Sequence, residues 1–170
     1  MMELPDLALG LLLPELILAC GAIAILFLEA GERSAGSGGR LAWLASLATV
    51  AGAAVAMVSG GTSGQSVGGG MLAIDGFTQF IRGVVLLAVA SVLLMSPDYA
   101  RRFRLNSGEF YALILFSGLG ALLMAAADDL LVIFLGLEVH SIALYILAGY
   151  RRDVPAEESC LKYLLLGAFA

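Results

Sequence analysis

Glu138 lies inside an apolar stretch, Asp128 to Leu147, that is about as long as a bilayer is thick. A carboxylate near the centre of a membrane helix costs roughly 2.5–3.5 kcal/mol on insertion scales. A chain keeps such a residue mainly where it lines a watered path, binds an ion or carries a proton. The surrounding composition sets that membrane context. Soluble domains carry about 25% charged and 45–50% apolar residues. This chain has 61% hydrophobic and 14% charged residues, with a mean hydropathy of +0.98. The composition is that of a polytopic, all-α membrane protein.

Several function classes are excluded early. The net charge of -5 says nothing about nucleic acid, but no basic patch exists, so nucleic acid is not an expected partner. Cys20 and Cys160 are far apart and form no metal-ligand spacing, so neither a metal site nor a structural disulfide is expected. The run Ile17-Leu18-Ala19-Cys20 loosely resembles a lipoprotein cleavage site. No basic residue precedes it, and Pro14 and Glu15 interrupt the apolar run, which a secretion signal does not tolerate.

At 1.5 Å rise per residue, about 20 residues cross a hydrocarbon core roughly 30 Å thick. About five complete spans are predicted: Leu7–Leu28, Leu41–Ser59, Phe77–Ser96, Glu109–Ala126 and Asp129–Gly149. A sixth opens near Pro155, which suits a first helical turn, followed by Glu157 and Glu158 at the positive end of the dipole. That helix is short, so the sequence is expected to be truncated within it. Arg33, Arg40, Arg101, Arg102, Arg104, Arg151 and Arg152 fall in alternate loops. The positive-inside rule makes those loops cytoplasmic and puts the N-terminus outside. The Gly/Ser-rich segment 59–70 reads as a flexible outer linker and lacks the ending of a phosphate-binding loop. In span 2, Ala48, Gly52 and Ala56 recur four apart, as at a close helix contact.

Glu138 comes about nine residues into span 5, roughly 14 Å deep, near the midplane. Ser141 and Tyr145 share its face at i+3 and i+7, a polar stripe suited to relaying protons. The plainer alternative is a protonated Glu138 that merely hydrogen-bonds a neighbouring helix. His140 points to roughly the opposite side and reads as a hydrogen-bonding or packing residue before a relay. Lys162 lies about seven residues into span 6; it either couples to Glu138 through water or snorkels to the interface. Arg82 has two readings. The ordinary one is snorkelling outward or pairing with Asp75 on its own helix; the rarer is an intramembrane pair with Glu15 of span 1. Asp75, Ser107 and Asp128 precede helices as N-caps, and Glu29 and Glu32 sit at a solvated loop edge.

Six motifs appear in order: Leu-Leu-Leu-Pro-Glu-Leu-Ile-Leu (11–18), Asp-Gly-Phe (75–77), Gly-Glu-Phe-Tyr-Ala-Leu (108–113), Phe-Leu-Gly-Leu-Glu (134–138), Leu-Tyr-Ile-Leu-Ala-Gly-Tyr (144–150) and Leu-Lys-Tyr-Leu-Leu-Leu-Gly-Ala-Phe (161–169). Together they resemble the N-terminal third of subunit N of the NADH-quinone oxidoreductases, respiratory complex I. The last three, correctly spaced, carry most of the specificity. The resemblance implies an antiporter-like, proton-translocating membrane subunit built on inverted repeats of five helices with broken helices. It further implies a fifth-helix Glu, matched by Glu138, that works with a seventh-helix Lys beyond Ala170. Lys162 matches the family's sixth-helix Lys, not that partner, while His140 and Arg82 receive no family role. Residues 1–106 would form an N-terminal three-helix region, and 107–170 the start of the first repeat.

This chain has no nucleotide fingerprint, iron–sulfur cysteine cluster or flavin motif. The resemblance therefore puts NADH, FMN, iron–sulfur clusters and quinone in partner subunits and no cofactor here. It also implies other complex I membrane subunits as partners and a bacterial inner-membrane location. Two alternatives stay open: a subunit of a monovalent cation/proton antiporter, and a truncated structural scaffold in which Glu138 only orients helices.

Overall fold

The computed structural model describes residues 9–31, 38–59, 64–105 and 108–169. A 3₁₀ turn, Leu9–Leu12, leads into α1 (Leu13–Gly31), followed by α2 (Gly38–Ser59). A hairpin of β1 (Gln65–Val67) and β2 (Leu72–Ile74) comes next, then α3 (Gly76–Phe103), α4 (Gly108–Ala126), α5 (Leu130–Gly149) and α6 (Val154–Ala168). Four helices are long and apolar enough to cross a membrane: Gly10–Glu29, α3, α4 and α5. The apolar part of α2, Ala42–Val58, is shorter. Helix α4 is the hub, packing against α1, α2, α3 and α5, while α6 rests on α5. Leu18, Leu93, Leu115 and Leu122 are fully buried in the core around it.

Helix ends depart from expectation for physical reasons. Pro14 falls in the first turn of α1, which starts six residues later than predicted because proline suits that position. Helix α3 does not stop at Ser96 but runs through Pro97 to Phe103, drawing Arg101 and Arg102 into its last turn. Proline has no N–H, so Leu93 four residues earlier loses its helical donor. Trp43 Nε1 of α2 and Ser96 Oγ each donate to that carbonyl at 2.7 Å, and the helix continues.

Asp75 caps α3 by accepting from the Thr78 N–H at 2.8 Å, which holds its carboxyl below the usual range. The cap therefore acts above the ordinary Asp pKa and is lost as pH falls through the lowered one. For α5 the cap is Asp129, not Asp128, since Asp129 Oδ1 accepts from Leu131 N at 2.7 Å. Asp128 instead donates its backbone N–H to Met71 O. Ser107, Glu32 and Arg33 lie outside the described residues. At the start of α4, Glu29 of α1 accepts from Glu109 N at 3.0 Å, so it faces a helix terminus rather than open solvent. A side chain at Gly108 would collide with that carboxylate.

The segment read as a flexible linker is partly ordered. Gly68, Gly69 and Gly70 take positive φ and turn the chain, pairing Gln65 with Ile74 and Val67 with Leu72. Val67 and Ile74 are buried against Ala126 and the 3₁₀ turn, and Leu72 bridges to Ala127. The hairpin thus closes the end of the bundle where α3 and α5 begin. In α2 the buried positions are Ala42, Ser46, Val50, Ala53 and Ala56. Of the predicted stripe, Ala48 is exposed, while Gly52 meets Ile17 of α1.

Near the hairpin, Arg82 of α3 neither snorkels nor pairs with Asp75. Its Nη2 lies 2.5 Å from Glu15 Oε1 of α1, and its Nη1 donates to Leu11 O at 3.3 Å. Both side chains are at least 95% buried. Beyond this ion contact, Glu15 Oε1 and Oε2 and Arg82 Nε and Nη2 make no hydrogen bond among the described residues.

Two expected outcomes follow, each read by denaturant or thermal unfolding in detergent. Glu15→Ala strands a buried guanidinium and destabilises the bundle by about 3–5 kcal/mol, whereas Glu15→Leu with Arg82→Met restores most of that loss. Equal losses in the single and double variants would remove the ion pair from the account. The second outcome concerns Gly120. A Cβ there would sit 2.5 Å from both Gly136 O and His140 N of α5. Gly120→Ala should therefore cost about 1–3 kcal/mol through forced helix separation; unchanged stability would show that the two helices can part freely.

Candidate functional site

Helix α5 carries Glu138 near its middle, the ninth of 20 residues. Gly136 and Ala143 are the buried positions of α5 and face the bundle, so the helix meets α4 along a narrow line. Glu138 lies off that line and is half-buried. Among the described residues no donor reaches its carboxylate.

Ser141, one turn further along, donates to Leu137 O of its own helix at 2.7 Å, with Glu138 O at 3.4 Å. Its hydroxyl is thus turned to the backbone rather than to the Glu138 side chain. Tyr145 stands edge-on to Tyr163 of α6, ring centroids 4.7 Å apart, and its hydroxyl occupies the space a side chain at Gly167 would need. The stripe Glu138–Ser141–Tyr145 therefore leads toward α6.

Lys162 is not brought to Glu138. Its ammonium sits 2.5 Å from Glu158 Oε1, one turn back toward the α5–α6 connection, and both groups are largely exposed. The i,i+4 spacing on one helix makes this pair the nearest electrostatic choice. Axial offset accounts for the separation from Glu138. Gly149 lies against Cys160, and Tyr145 reaches up to Gly167. Glu138 is two further turns along, roughly 10 Å past Tyr145.

His140 serves the α4–α5 contact. Its Nδ1 lies 2.8 Å from Ser117 O and 3.1 Å from Ser117 Oγ. A carbonyl only accepts, so Nδ1 carries the proton and donates. Together with Gly120 and Gly136 this bond locks α5 onto α4. Spacing alone pointed to a packing role for His140; the two glycines could have been read as small residues on facing helices but were passed over. Also missed was Glu29 at the start of α4, whose partner lies 80 residues away. No group of His, Cys, Asp and Glu able to hold a metal occurs among the described residues.

Among the described residues, the arginines at the end of α3 and in the α5–α6 turn gather at one end. Arg151 of the α5–α6 turn lies over the Phe103 ring at the end of α3, 4.0 Å from its centroid, and pairs with Asp153. Arg101 pairs with Asp98 on α3.

Comparison with known proteins agrees with this architecture. Residues 127–170 match the family described as "NADH:quinone oxidoreductase/Mrp antiporter, TM". The chain is 43% identical over 163 residues to NADH-quinone oxidoreductase subunit N of Trichlorobacter lovleyi, covering 95% of this chain and 33% of that protein. It is 32% identical over 169 residues to subunit N of Magnetococcus marinus, covering 99% of this chain and 35% of that protein. Among solved structures, respiratory complex I from Thermus thermophilus with bound aureothin superposes with a TM-score of 0.75 at 28% identity, over 92% of this chain and 33% of that one. The chain spans about a third of the length of the curated relatives it matches. Over that third it is a helical, multi-pass membrane protein similar to subunit N of the NADH-quinone oxidoreductases.

Proposed function

We propose that the chain contributes to proton translocation in a bacterial NADH:quinone oxidoreductase, with Glu138 as its proton carrier. The observation that carries the reading is the Glu138 carboxylate. It sits midway along a membrane-length helix, off the α4 contact line and without a donor among the described residues, inside the stretch that matches the oxidoreductase/antiporter family. Such a group takes up or releases a proton according to the charge beside it, because a nearby cation favours the carboxylate and its withdrawal favours the acid.

Ser141 and Tyr145 extend the path toward α6. The Ser141 hydroxyl relays by turning from the Leu137 carbonyl toward Glu138, a rotamer change on the ps–ns scale. Lys162 acts as a coupling charge held by Glu158; loosening that pair would free its positive charge to act on the Glu138 side. In this reading residues 107–170, which include α4 to α6, open an antiporter-like repeat, and 1–106 form the preceding three-helix region. NADH oxidation, FMN, iron–sulfur clusters and quinone reduction belong to partner subunits, with the other membrane subunits as neighbours in the inner membrane. The family description also names an antiporter, so cation/proton exchange is the second reading. Sodium-dependent transport without an NADH-driven component would favour it.

Glu138→Gln in the assembled complex should lower NADH-driven proton pumping by roughly 10²-fold or more, the effect of removing a positioned proton-transfer group. Wild-type pumping in assembled complex sinks the carrier role. Loss of assembly itself would instead favour a scaffold.

A further inference from the structure

At the arginine-rich end, α1, α4 and α5 leave a groove of about 360 Å³ between them. By volume it takes about a dozen water-sized groups. Its inner wall is apolar: Leu26 of α1, Ala112, Leu113 and Phe116 of α4, and Ile146 of α5. Its mouth carries Glu109, Tyr150 and Arg152. Phe116 is two helical turns from Glu109, so the apolar part runs roughly 10 Å inward from the charged rim. An apolar slot ending in charge at a helix-end level, with a tyrosine at the rim, matches the profile of a bilayer leaflet from acyl region to headgroup.

The charges at the rim select the headgroup. Tyr150 donates to Glu109 Oε2 at 3.3 Å and aims that carboxylate at the mouth. Arg152 supplies one guanidinium, exposed and in no ion pair among the described residues. Its backbone turns with φ 53° at the end of α5, where Arg152 N donates to Gly149 O. One cation and one carboxylate at the mouth suit a group bearing both a phosphate and an ammonium better than one with phosphate alone.

We propose that this groove binds a membrane glycerophospholipid with a primary-amine headgroup, of the phosphatidylethanolamine type. An acyl segment lies along Leu113 and Phe116, the phosphate faces Arg152 and the ammonium faces Glu109. This site is separate from Glu138 and holds whether or not Glu138 carries protons.

The test uses the full complex in nanodiscs containing equal phosphatidylethanolamine and phosphatidylglycerol, with retained lipid read by native mass spectrometry after mild detergent extraction. Wild type should keep phosphatidylethanolamine in several-fold preference. Leu113→Trp, which fills the slot from a partly exposed position, should lower retained lipid about tenfold. Glu109→Gln, at an exposed position, should abolish the preference while leaving total retention within about twofold. Equal retention of the two lipids by wild type, or preference for phosphatidylglycerol, overturns the headgroup assignment. Retention unaffected by both variants, or a protein side chain from elsewhere in the complex seen filling the groove by electron cryomicroscopy, overturns the site.

Discussion

Within an apolar bundle every polar group must find its partner inside the protein, because hydrocarbon offers none. That constraint explains most of what distinguishes this fold from a stack of greasy helices. Arg82 heads the largest fully buried side chains, and Glu15 supplies the opposite charge from another helix. The Leu93 carbonyl, orphaned by Pro97, is met by Trp43 and Ser96. His140 on α5 is met by the Ser117 carbonyl on α4. Each bond ties a different pair of helices: α1 to α3, α2 to α3, and α4 to α5. Apolar packing supplies the area, but these few polar contacts decide the registers.

The same constraint makes Glu138 conspicuous. Its neighbours in the stripe have other engagements, Ser141 with its own backbone and Tyr145 with α6, while the carboxylate has none among the described residues. The carrier role proposed for Glu138 asks for a group held this loosely, since a proton carrier fixed by strong bonds would exchange its proton too slowly. Lys162 shows the opposite case. Its ammonium pairs locally with Glu158, and the axial offset between the two residues places it outside direct reach of Glu138.

These elements differ in how far the sequence reveals them, and the pattern has a physical basis. Helix existence followed from hydropathy, because about 20 apolar residues have few alternatives in a bilayer. Helix ends were less legible. Pro97 reads as a stop, yet the helix continues because a tryptophan on another helix supplies the missing donor. Asp128 and Asp129 are interchangeable as caps in composition, and the Met71 carbonyl decides between them. The 65–74 hairpin was hidden in a glycine-rich run whose apolar alternation, Val67, Leu72 and Ile74, is too short to signal a strand alone. Its order comes from burial against Ala126 and the 3₁₀ turn.

The sequence by itself determined a helical membrane protein, the position of Glu138 halfway along its span, and the alternation of arginine-bearing connections. These depend on local quantities, hydropathy and spacing, that survive without knowing any neighbour. Only the tertiary structure decided that Arg82 pairs with Glu15 rather than reaching for water, that His140 faces α4, and that Lys162 answers to Glu158. Which partner a polar side chain takes depends on which helix lies beside it and at what height, and those distances arise only when the helices pack.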